Sequence, residues 1–226
     1  MSIENNIHAT QKQMRDAATT SNRNLEEVHL IAVTKSVSPE IAQEVVQQGI
    51  FHLAENRPEK LIEKQESLTD ERIKWHYIGS LQTRKVKQVI QRIDYFHALD
   101  RLSLAQEIDK RADKVIPCFV QVNVSGEEQK HGIAPADLIA FIHELEAFPK
   151  IQVIGLMTMA PNTTDETVIR TTFAGLKKLQ QQVETLHLPS APCHELSMGM
   201  SHDFVIAIEE GATFVRVGTK LFATNS

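Results

Sequence analysis

Residues 29–54 read His29-Leu-Ile-Ala-Val-Thr-Lys-Ser-Val-Ser-Pro-Glu-Ile-Ala-Gln-Glu-Val-Val-Gln-Gln-Gly-Ile-Phe-His-Leu-Ala54. The run 29–34 is short, apolar and rich in β-branched residues, the signature of a buried strand. Ser38 and Pro39 then supply an N-cap and a proline at the first helical position. Ile41, Val45 and Val46 fall on one helical face, and Gly49 stands where a left-handed C′ residue stops a helix. A second apolar run, 51–54, follows at once. One strand, one helix and the next strand thus fit into a single short stretch.

The alternation continues outward. Further strand-like runs lie at 75–78, 95–99, 118–124, 153–157, 194–197 and 213–217, and segments with helical period at 84–91, 102–112, 135–147, 164–187 and 204–210. A polar helix at 3–18 precedes them. Strands alternating with helices predict a parallel sheet. Eight runs in 226 residues leave about 28 residues for each unit, close to one βα repeat. The natural closure is an α/β fold of the (β/α)8 TIM barrel type with an additional N-terminal helix. A doubly wound open sheet is the competing layout, but no GxGxxG follows the first strand. No Pro/Gly/Ser-rich linker divides the chain, so residues 1–226 read as a single domain.

Composition narrows the function classes. Hydrophobic residues make up 42% and charged residues 23%, which excludes disordered and low-complexity chains. A net charge of −5 and no long Lys/Arg run argue against nucleic acid or an anionic membrane as the main partner. Two cysteines, Cys118 and Cys193, are too few for a disulfide framework and form no CxxC pair, so the reducing cytoplasm is the expected compartment and core filling their expected role. The first twenty residues carry no apolar signal region.

In a (β/α)8 barrel the C-terminal strand ends carry the chemistry. Here those ends supply Lys35, Glu55-Asn56, Gly79-Ser80, Asp100, Asn123, Met157-Thr158, Ser197-Met198-Gly199 and Gly218-Thr219. A lysine ending an apolar strand loses part of its hydration, which favours the nucleophilic amine. Arg216 interrupts the apolar run 213–217, where a guanidinium is costly unless it is paired or hydrogen-bonded. Ser197 and Ser201 flank the seventh loop, and Gly218-Thr219 follow the eighth strand, where barrels often bind phosphate. The ten histidines are scattered; His194 and His202 are the nearest polar pair to this end, and no metal is expected. The loop 126–132 is polar, glycine-bounded and reads as solvated.

At these residues the chain resembles the pyridoxal phosphate homeostasis proteins, relatives of the alanine racemase barrel. The likeness spans about 30–222 and rests on Ala32-Val-Thr-Lys35, Glu55-Asn56, Trp75-His-Tyr-Ile-Gly79 with Leu81-Gln82, Val122-Asn-Val124, Lys130-His-Gly132, Gly155-Leu-Met-Thr-Met159, Leu196-Ser-Met-Gly-Met-Ser201 and Val215-Arg-Val-Gly-Thr219. It departs at Ala54, Arg57-Pro58 and Thr83-Arg84, which bears on the second and third βα loops. The resemblance implies a Schiff base between Lys35 and pyridoxal 5′-phosphate (PLP). It also implies Ser197, Ser201, Gly218 and Thr219 at the phosphate end, Arg216 at the pyridine nitrogen, and Asn56 and Met198 along the ring.

The function so implied is intracellular vitamin B6 homeostasis: reversible holding of PLP, without substantial catalysis, by a cytoplasmic monomer that serves PLP-dependent apo-enzymes. A PLP-dependent amino-acid racemase is the alternative. It needs a second base, in racemases a tyrosine from an additional C-terminal domain, and this sequence has only Tyr77 and Tyr95, both in its first half. An aldolase using Lys35 has only Asp100 as an evident acid or base nearby.

Overall fold

Eight parallel strands pair strictly in chain order and close on themselves in the computed structural model, which describes residues 2–127, 129 and 131–223. They are β1 (His29–Val33), β2 (His52–Glu55), β3 (Lys74–Tyr77), β4 (Tyr95–Leu99), β5 (Ile116–Gln121), β6 (Ile151–Met157), β7 (Glu195–Ser197) and β8 (Phe214–Val217). Closure is made by β1 against β8, with His29 opposite Phe214 and Ala32 opposite Val217. The (β/α)8 expectation holds, and the open sheet is excluded.

After α1 (Ile3–Thr20), the helices α2 (Pro39–Gln47), α3 (Pro58–Ser67), α4 (Val86–Val89), α5 (Leu102–Arg111), α6 (Leu138–Leu145), α7 (Glu166–Glu184), α8 (Phe204–Glu209) and α9 (Thr219–Phe222) follow the strands in turn. Each strand is therefore buried between the barrel interior and a helical layer, which is why the strand runs are nearly continuous in apolar residues. In α1, Ile7, Met14 and Ala17 recur on one buried face. That face packs on α8 and α9, and the Asn6 amide donates to the carbonyls of Leu221 and Ala223 at 3.0 and 2.9 Å. No helix among the described residues is long and apolar enough to cross a membrane.

Several boundaries move. The run 118–124 ends as a strand at Gln121, because the chain turns at Val124; Val122 keeps only a bridge to Ile133. The segment 84–91 splits into a 3-10 turn, α4 and a second 3-10 turn. Helix α3 was not anticipated. Leu61 is its one large apolar side chain without exposed surface, and the other filled position belongs to a lysine, Lys64.

Candidate functional site

At the C-terminal ends of the strands a cavity of about 290 Å³ matches the lower end of ligand pockets, roughly 300 Å³. Lys35, Asn56, Ser201, Arg216, Gly218 and Thr219 line it, together with Ser36, Gly79, Met157, Met159, Met200 and His202. Six of the eight residues singled out from the sequence thus converge on one space. Ser197 and Met198 do not line it; both are fully buried.

Lys35 follows β1 and Thr34, and its Nζ makes no hydrogen bond or ion pair among the described residues. The strand alternates, so Thr34 points the other way. Its hydroxyl donates to Glu55 Oε1 at 2.7 Å, and Lys64 Nζ lies 2.9 Å from the same oxygen. Glu55 Oε2 has no partner. This buried cluster fixes the ends of β1 and β2 against α3 and confines Lys64 behind the barrel wall.

At Gly79 the backbones come too close for a side chain, and at Gly218 a side chain would be tight. A Cβ on Gly79 would sit 2.3 Å from the Asn56 carbonyl, and one on Gly218 3.2 Å from the Val33 carbonyl. The Asn56 carbonyl also accepts from the Tyr77 hydroxyl at 3.1 Å. Burial pushes that phenol up to about 12, so it remains a donor. Next to β8, the backbone N–H groups of Gly218 and Lys220 both point at the Ser201 hydroxyl oxygen, each at 3.3 Å. Backbone donors converging on one oxygen form an anion-accepting concavity.

Arg216 is buried, with 5% of its surface exposed, and burial lowers its guanidinium to about 10, an effect opposed by nearby Asp203. It remains charged at neutral pH. It donates to Ser197 Oγ at 2.6 Å and to the Thr158 carbonyl at 3.0 Å. The resemblance implies Ser197 at the phosphate end. Its hydroxyl is instead enclosed beneath Arg216, where it meets His97 Nδ1 at 2.8 Å.

From there a chain of histidines crosses the barrel. His97 Nε2 contacts His76 Nδ1 at 2.8 Å, and His76 Nε2 contacts His52 Nδ1 at 2.9 Å. The chain is a staircase set by strand register. His52 pairs with Lys74, two residues below His76, and His76 pairs with Tyr95, two residues below His97. Two-residue steps keep every ring inside the barrel. His97 stacks on Phe119 at 4.3 Å and His76 on Tyr95 at 4.5 Å. Burial holds His76 and His97 well below the usual imidazole range, and it lowers His52 to about 4. All three are neutral at pH 7, so each ring offers one donor and one acceptor.

Neutral rings allow two directions along the chain, and one of them also gives the Ser197 proton an acceptor. An arginine only donates, so Ser197 Oγ accepts from Arg216. In that direction the Ser197 proton finds its acceptor among the described residues in His97 Nδ1. His97 then donates from Nε2 to His76, His76 from Nε2 to His52, and His52 is left with an outward Nε2–H. Sequence inspection missed this relay. Its signal was one histidine in each of the first four βα units, at 29, 52, 76 and 97.

The remaining residues picked from the sequence lie elsewhere. Asp100 pairs with Arg101 at 2.6 Å and does not line the Lys35 cavity. His194 pairs with Glu184 on the exterior. Cys118 and Cys193 are buried, and burial raises both thiols, Cys193 to about 12, which makes them poor nucleophiles. In the loop 126–132, Gln121 Nε2 donates to the His131 carbonyl at 3.1 Å, while Glu128 and Lys130 lie outside the described residues.

The model of the alanine racemase N-terminal domain matches residues 6–226. The pyridoxal phosphate homeostasis protein of Aquifex aeolicus is 41% identical over 196 residues, 85% of each chain, and that of Pseudomonas aeruginosa is 34% identical over 223 residues, 97% of this chain and 94% of the other. The chain belongs to the pyridoxal phosphate homeostasis protein family. A solved relative, PipY of Synechococcus elongatus with PLP bound, superposes at a TM-score of 0.81 with 31% identity, covering 93% of this chain and all of that one. The Lys35 cavity of this racemase-type barrel is lined by neither Tyr77 nor Tyr95.

Proposed function

We propose that the Lys35 cavity binds PLP reversibly and that the protein serves vitamin B6 homeostasis as a carrier with little turnover of its own. The observation that carries this reading is the pairing of an unpartnered lysine amine with a buried, charged guanidinium on the walls of one small cavity. Gly79 and Gly218 line the cavity without side chains of their own. Ser201 with the N–H groups of Gly218 and Lys220, and the Thr219 hydroxyl, would take the phosphate. Asn56 would line the ring, and Arg216 would face its nitrogen. Ser197 acts through Arg216 and not on the cofactor directly. Met198, fully buried beside the cavity wall, is a packing residue in this reading.

The cofactor supplies an aldehyde. The Lys35 amine would hold the group through that aldehyde as a Schiff base, releasing water. A charged arginine at the ring nitrogen opposes protonation there, which leaves the ring a weak electron sink. Neither tyrosine offers a second base in the cavity: Tyr77 is engaged with Asn56, and Tyr95 begins its strand at the opposite end of the barrel. The release of PLP to apo-enzymes follows from a Schiff base that water can reach.

Titration of the purified protein with PLP, followed by visible absorbance, tests the reading. A saturable band at one PLP per chain is expected, with borohydride fixing the label on Lys35. Absence of a band, or label on another lysine, would overturn the site. Incubation of the loaded protein with L-alanine and other amino acids tests the carrier role; sustained turnover at ~1 s⁻¹ or above, the lower end of ordinary enzyme rates, would replace it with an enzyme.

A further inference from the structure

The opposite, N-terminal end of the barrel carries a second and larger cavity, about 480 Å³, between α1 and the beginnings of β1 and β2. Its back is apolar, formed by Met14, Val28 and Ile50, all less than 9% exposed. Its rim is cationic. Arg15, Arg72 and Lys74 line it together with His29 and His52, and no carboxylate does. On a chain of net charge −5 this is a local reversal of sign.

The cations are not equally free. Arg72 is held by Asp70 at 2.7 Å, with its guanidinium 4.2 Å from the centre of the Phe51 ring. Arg15 and Lys74 have no hydrogen bond or ion pair among the described residues. The direction of the histidine chain decides what His52 presents. In the direction that gives the Ser197 proton an acceptor, Nδ1 accepts from His76 and Nε2 carries the proton, and that N–H has no acceptor among the described residues. His52 thus shares one cavity with the unpartnered side chains of Arg15 and Lys74 and an apolar wall. Carboxylates and phosphates answer such donors with charge-assisted hydrogen bonds, while the apolar wall rewards an attached hydrocarbon.

We propose that this cavity binds a small organic anion, an oxyanion on an apolar body, which accepts from His52 Nε2–H and pairs with Lys74 and Arg15. The site is separate from the Lys35 cavity and stands whether or not PLP binds there. Burial first, then His29 and Lys74, oppose a second proton on His52, while Asp94 favours one; an anion satisfies a neutral ring's N–H without requiring that second proton.

Calorimetric titration with benzoate, phenyl phosphate and inorganic phosphate tests the proposal, with the histidine ring signals followed by NMR. At least one aromatic anion should bind saturably and shift the His52 ring, and inorganic phosphate should bind at least threefold more weakly. Which aromatic anion binds better distinguishes a carboxylate site from a phosphate site. The Arg15→Glu, Lys74→Glu double variant, altered only at exposed positions, should weaken binding at least tenfold and leave the PLP absorbance titration unchanged. The Lys74→Gln variant should show an intermediate loss. Failure of both aromatic anions to bind would overturn the proposal. So would undiminished binding to the double variant, which would assign the anion to the Lys35 cavity, or equal binding of inorganic phosphate, which would remove the role of the apolar wall.

Discussion

Lys64 Nζ lies 2.9 Å from Glu55 Oε1, and neither side chain has exposed surface. The lysine makes no well-directed hydrogen bond and Glu55 Oε2 has no partner, so charge pairing and the Thr34 hydroxyl carry the cluster. Removing one partner of a buried pair costs far more than removing both. Lys64→Met should destabilise the fold by ~3–5 kcal/mol, whereas Glu55→Gln combined with Lys64→Met should recover much of that loss. Urea denaturation of the three proteins checks both statements.

Lys35→Ala should abolish the visible band formed with PLP and leave the melting temperature nearly unchanged, because the side chain is exposed and makes no bond that the fold needs. Weak non-covalent PLP binding should persist through the Ser201 and Gly218 end, measurable by equilibrium dialysis. A retained band would mean that another amine reacts.

Stability should fall on acidification before the carboxylates titrate. In the folded protein His76 and His97 stay neutral far below pH 6.5, chiefly through burial, while in the unfolded chain they protonate near 6.5. Below that value the unfolded state binds protons that the folded state refuses, so stability is lost as pH drops and is level above about pH 7.5. Each group contributes ~1.4 kcal/mol per pH unit in the steep region, about 3 kcal/mol per unit for the two. Urea midpoints between pH 5 and 8 measure the slope; a flat profile would mean that the rings are charged in the fold.

Gly79→Ala should harm both the fold and the site. Its methyl would overlap the Asn56 carbonyl at 2.3 Å, and overpacking of this kind costs ~1–3 kcal/mol. The strain falls on a cavity residue, so PLP affinity should drop with the melting temperature. An unchanged affinity would show that Asn56 is not part of the PLP site.

The barrel was legible because each strand advertises itself with β-branched or aromatic residues, and because eight such runs leave one closure. Helix α3 was not, since a buried charge pair occupies the place where an apolar stripe would have signalled it. Lys35 and Arg216 stood out as charges at or in apolar strands. Ser197 was placed too high, because sequence does not say whether a hydroxyl at a strand end reaches the rim or turns inward to a guanidinium. The histidine relay needs the strand register: residues 52, 76 and 97 look unrelated until neighbouring strands are seen to be offset by two residues at each step.

That staircase also has an electrical consequence. In the direction that gives the Ser197 proton an acceptor, its hydrogen bonds run head to tail and their dipoles add, with the negative end at Ser197 beneath the guanidinium and the positive end at His52. The barrel axis thereby supports the charge of Arg216 through oriented neutral groups. Aligned dipoles steady the arginine alongside Asp203 without adding a second full negative charge. The Lys35 cavity accordingly has a charged guanidinium on its wall, a group suited to an anionic ligand.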